Sequence, residues 1–100
     1  METDKLIDNI FEISKNGGKT LQELTLKCVE EIGELSQAVL SYTGAKGCKY
    51  KELNKEDVIE ELADVFLVNI AMAQELGITK EDLKKEIERK LNKWIKKMNN

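Results

Sequence analysis

Apolar residues recur along most of this chain at steps of three and four, the spacing that lines one side of an α-helix. Leu6, Ile7, Ile10, Phe11 and Ile13 predict a first short helix over residues 4–14. Asn16-Gly17-Gly18 closes it, because glycine takes the left-handed conformation that ends many helices. Leu21, Leu24, Cys28, Ile32, Leu35 and Val39 then mark the buried face of a second helix that runs to about Tyr42. Thr20 and Glu23 stand at capping-box spacing at its start. Gly44 and Gly47 mark the exit into a basic loop over residues 44–53.

Asn54, with Asp57 three residues on, caps a predicted third helix that reaches Leu76 and stops at Gly77. Over residues 62–73 its apolar positions cover most of the circumference, which predicts a helix surrounded by protein. Thr79 and Asp82 repeat the capping signature for a fourth helix. Leu83, Ile87, Leu91, Trp94 and Met98 form its stripe, and Lys90, Lys93, Lys96 and Lys97 make its end basic. No segment alternates convincingly with period two. The expectation is a single all-α domain over residues 1–100, built as a helical bundle.

Composition narrows the possibilities. A chain of 100 residues buries a modest share of its surface, so self-association would help it. The net charge of −3 gives no general attraction to nucleic acid or anionic membranes. The start is polar, and no apolar run approaches the roughly 20 residues of a membrane span. A cytoplasmic protein is expected. Cys28 and Cys48 share no metal-binding spacing and the chain has no histidine, which argues against structural zinc and for free thiols.

Candidate chemistry lies in the acids. Asp64 interrupts the most apolar stretch of the chain, residues 58–73, with Glu61 three residues before it. A buried carboxylate without a partner is costly and needs a cation or a proton. The second helix carries Glu30, Glu31 and Glu34. Residues three apart share a helix face, so Glu31 pairs with Glu34 and Glu61 with Asp64. If the two helices pack antiparallel, these four carboxylates converge. Oxygen ligands without histidine favour a hard ion, Mg²⁺ or Mn²⁺. The competing reading is that these are solvated surface acids, as most helical glutamates are. The apolar neighbours of Asp64 and Glu31 stand against it.

Residues 27–35, KCVEEIGEL, followed by residues 60–65, EELADV, resemble the MazG nucleotide pyrophosphohydrolases of the all-α nucleoside triphosphate pyrophosphatase superfamily. That family shows Glu-Glu-x-x-Glu, a variable gap, then Glu-x-x-Asp. Its frequent Lys-x-Asn-x-Lys-Phe-x-x-Arg ending is matched by residues 90–97, with Trp94 for the Phe and Lys97 for the Arg. Lysine lacks the bidentate phosphate grip of arginine. The resemblance implies a four-helix bundle-like fold completed by dimerisation, in a homodimer or homotetramer. It implies hydrolysis of a nucleoside triphosphate to the monophosphate and pyrophosphate, with Mg²⁺. By position, Glu31, Glu34, Glu61 and Asp64 would hold the metal, and Glu30 would orient the attacking water. Lys27, Lys90, Asn92, Lys93 and Lys97 would contact the substrate.

Each of these lysines has a simpler alternative. Lys27 is placed to pair with Glu31 or Glu30 on its own helix. Lysines in a last turn complement the helix dipole without any ligand. Trp94 falls on the apolar stripe and reads as core more readily than as a base-stacking platform. Tyr42, Tyr50 and the loop over residues 44–53 are further candidates for nucleoside contact. The rival function is a non-catalytic helical oligomerisation or regulatory module. A di-iron bundle is excluded, since its Glu-x-x-His pairs need histidine.

Overall fold

Three helices begin where a side chain supplies the partner that the first turn lacks. In a computed structural model describing residues 1–44 and 53–99, the helices are α1 (Thr3–Ser14), α2 (Leu21–Tyr42), α3 (Lys55–Glu75) and α4 (Lys80–Met98). No strand occurs among the described residues. Thr20 with Glu23, Asn54 with Asp57 and Thr79 with Asp82 each form a reciprocal capping box. The Glu23 N–H donates to Thr20 Oγ1 at 3.1 Å, and the Thr20 N–H donates to Glu23 Oε1 at 3.1 Å. The end of α3 is equally well specified. Gly77, at φ +74°, lets its N–H reach the Gln74 carbonyl while the Ile78 N–H reaches that of Ala73. This is the Schellman arrangement, and it needs a residue that tolerates positive φ.

Helices α2 and α3 form an antiparallel pair. The Leu53 N–H donates to Ser41 Oγ at 3.1 Å at one end, and Cys28 Sγ donates to Asn69 Oδ1 at 3.7 Å farther along. Falling numbers on α2 thus meet rising numbers on α3. Among the described residues, the buried apolar ones are Leu24, Ala38, Ile70 and Ala73. Helix α1 packs against α3, and α4 is held to α1 by Lys80–Asp8 at 2.8 Å and Lys84–Asp4 at 3.9 Å.

One expectation changes here. The apolar girth of α3 predicts cover on all sides, yet Ile59, Leu62, Phe66 and Leu67 are exposed. No residue of α4 is buried, and Trp94, expected in the core, is 68% exposed. The reason is geometric. Helix α4 packs by its first turns and then diverges from α3. The divergence opens a cleft of about 730 Å³ lined by Ile7, Phe66, Ile70, Ala73, Leu83 and Ile87, among others. The radius of gyration is 16.2 Å, against about 13 Å for a compact chain of this length. No helix among the described residues is long and apolar enough to cross a membrane. Gly47, Cys48 and Tyr50 lie outside the described residues.

Candidate metal centre

The antiparallel pairing of α2 with α3 brings Glu31, Glu34 and Glu61 together. One carboxylate oxygen from each lies within 4.8 Å of the others. The three are graded in exposure: Glu31 is buried, Glu61 half-buried and Glu34 exposed. The cluster therefore has a closed floor and an open mouth.

Charge at the floor is only partly balanced. Lys27, one turn before Glu31 on α2, places its Nζ 2.9 Å from Glu31 Oε1. That hydrogen bond holds the Glu31 carboxyl below its usual pKa in spite of burial. Glu31 in turn raises the Lys27 ammonium. Glu61 behaves in the opposite way. Burial, then the charges of Glu34, Asp64 and Glu31, push its carboxyl up. The second oxygens of Glu31 and Glu61 are buried with no hydrogen-bond partner among the described residues. Buried acceptors are normally satisfied, and two carboxylate oxygens left without a donor in one cluster can be satisfied by a cation or a proton. All-oxygen donors without histidine suit Mg²⁺ or Mn²⁺.

Asp64 is half-buried and close enough to raise Glu61, but its oxygens do not join the set within 4.8 Å. Glu30 is exposed beside the cluster on α2. Lys27 takes the role that helical spacing offers, an ion pair with Glu31. Lys90, Asn92, Lys93 and Lys97 are exposed on α4. Helix α4 packs on α1 more than on the acid-bearing α2 and α3.

One feature was not anticipated from the residue pattern. An apolar cleft of about 460 Å³ adjoins the cluster, with Lys27 shared between them. Its walls come from α1 (Ile10, Ile13), α2 (Leu24) and α3 (Leu67, Val68, Ala71). Three helices contribute, so no single helical stripe signals it.

Neither a curated protein nor a solved structure matches the chain. The model of the MazG-like family matches residues 13–100, which takes in α2, α3, α4 and every acid of the cluster. The chain belongs to the MazG-like family.

Proposed function

We propose that this protein hydrolyses a nucleoside or deoxynucleoside triphosphate to the monophosphate and pyrophosphate, with Mg²⁺ held by Glu31, Glu34 and Glu61. The observation that carries the reading is the pair of buried, unpartnered oxygens on Glu31 and Glu61, facing an exposed third acid. Family membership supports the same class of chemistry. When bound, the ion supplies charge neutralisation and Lewis acidity at the phosphoryl oxygens.

The side chains divide the remaining work. Glu31 and Glu61 form the desolvated floor that makes cation binding favourable. Glu34, at the mouth, completes the donor set on the side from which a triphosphate arrives. Asp64 adds negative charge one turn from Glu61. Glu30 accepts a hydrogen bond from the attacking water and aims it. Lys27 holds Glu31 in place and lines the adjoining cleft, which suits the flat apolar faces of a base. The chemistry needs mainly positioning and charge, as phosphoryl transfer generally does. A house-cleaning role on non-canonical nucleotides fits a small cleft without an elaborate polar lining.

The test is a screen of ribo- and deoxyribonucleoside triphosphates with Mg²⁺, detecting pyrophosphate. Release from at least one substrate, lost in Glu34→Gln and Asp64→Asn, supports the proposal. An equal slow background in wild type and both variants would leave the non-catalytic oligomerisation module as the better reading.

A further inference from the structure

The apolar cleft beside the acidic cluster is a trough whose far end differs chemically from its walls. Lys27 lies at the end next to the acids, and Lys19 and Glu75 line the same trough. Helices α2 and α3 run antiparallel, so the start of α2 lies beside the end of α3. Lys19 and Glu75 therefore both fall at the end away from the cluster. From Glu61 to Glu75, α3 rises about 21 Å. Two long side chains at that end reach part of the way back along the trough.

Neither charge suits its own helix. Lys19 immediately precedes Thr20, the cap of α2, where the helix dipole disfavours a cation. Glu75 is the last residue of α3, where the dipole disfavours an anion, and α3 has no basic residue in its last turn. Among the described residues, neither side chain forms an ion pair. Charges that break a local rule without local compensation mark functional positions. Here they are a set of donors and a set of acceptors at the end of a slot with apolar walls. The walls take a flat ring by its faces, and the two charges meet its edge. An ammonium only donates and a carboxylate only accepts. The matching edge carries an acceptor beside two neighbouring donors. Guanine has that edge: O6 accepts from the ammonium, while N1–H and the N2 amino group span both carboxylate oxygens. Uracil offers the carboxylate one N–H flanked by carbonyls. Adenine and cytosine offer one amino group beside an acceptor nitrogen, which repels the second carboxylate oxygen. A purine also reaches farther along the trough than a pyrimidine.

We propose that Lys19 and Glu75 select a guanine nucleotide, with the Glu75 carboxylate on N1–H and the N2 amino group and the Lys19 ammonium on O6. The base lies between the apolar walls contributed by α1, α2 and α3, and its phosphates point toward Glu31, Glu34 and Glu61. That these phosphates are a triphosphate to be cleaved rests on the proposed function; the recognition of the base edge does not. Lys19 and Glu75 stand away from the acids and decide which nucleotide is held, not how it is cleaved.

The experiment has two arms. Isothermal titration calorimetry with Mg²⁺ and nucleoside monophosphates reads the base without turnover. Guanosine monophosphate is expected to bind about tenfold tighter than the adenosine, cytidine and uridine monophosphates, and than inosine monophosphate, which lacks only the N2 amino group. Glu75→Ala should bind the guanosine and inosine nucleotides alike, and Lys19→Met should weaken both. Equal binding of all bases, no binding of any, or a preference for guanosine over inosine that survives Glu75→Ala overturns the selection. The second arm measures pyrophosphate release from the corresponding triphosphates. With guanosine triphosphate, Glu75→Ala should raise KM and leave kcat nearly unchanged. Guanosine preference in the calorimetry, with no pyrophosphate from any triphosphate, would sink hydrolysis and leave the base recognition standing. Equal kcat/KM for all the triphosphates would keep hydrolysis and sink the recognition.

Discussion

Lys27 Nζ and Glu31 Oε1 stand 2.9 Å apart across one turn of α2, and the other oxygen of Glu31 is buried with no hydrogen-bond partner among the described residues. The lysine balances the floor of the acidic cluster from one side only. Removing it as Lys27→Met leaves a buried carboxylate without its cation, which lowers stability in the absence of metal. The metal-free melting temperature should fall by several degrees. The rise on adding Mg²⁺ should be larger than in wild type, because the bound ion replaces the lost charge. Paired thermal melts with EDTA and with Mg²⁺ check this, and an unchanged response to Mg²⁺ counts against it.

Glu61 carries the opposite penalty. Its folded pKa is raised above the ordinary 4.5, first by burial and then by its acidic neighbours. It therefore binds its proton more tightly folded than unfolded. Its contribution favours the fold as pH falls through the raised value and weakens the fold at neutral pH. Glu61→Gln should melt a few degrees higher than wild type at neutral pH without metal. That advantage should shrink as the pH approaches 4.5, and the response to Mg²⁺ should be largely lost. Lower stability at neutral pH would be the contrary outcome.

Glu31 has the reverse sign. With its folded pKa depressed by Lys27, it stabilises the metal-free protein above the unfolded value and loses that contribution as pH falls through the folded one. Acid melts of wild type and Lys27→Met should converge at low pH, where Glu31 is protonated in both. A gap that persists to the lowest pH would show that the lysine acts by packing instead.

Gly77 tests the fold itself. Its φ of +74° closes α3 and aims α4 away. Gly77→Ala meets no steric neighbour, so its effect is the backbone strain alone. That strain is about 1–2 kcal/mol, and each kcal/mol lowers the melting temperature of a domain this size by about 4–8 °C. An unchanged melt would mean that the turn relaxes.

Much of this was legible in the residues because the signals are local. Each capping box needs only two side chains three residues apart, and Thr20, Asn54 and Thr79 all cap where expected. The acids of Glu-Glu-x-x-Glu and Glu-x-x-Asp are set by helical phase, so an antiparallel α2–α3 pair sufficed to join Glu31 and Glu34 with Glu61. Other features depend on where helices go. An apolar stripe records that something covers it but not which chain does so. Hence Trp94 and Leu62 read as core and emerge exposed. Asp64 shares a helical turn with Glu61, yet side-chain reach at the helix contact decides which acids touch. The cleft beside Lys27 needs three helices at once.

Binding of Mn²⁺, followed by the loss of its free-ion electron paramagnetic resonance signal, probes the acidic cluster without requiring a substrate. Wild-type protein is expected to take up Mn²⁺ with competition by Mg²⁺, and Glu31→Gln and Glu61→Gln to lose most of that affinity. Wild-type protein that leaves all Mn²⁺ free at millimolar concentration, or variants that bind it equally well, would contradict a metal site built by α2 and α3.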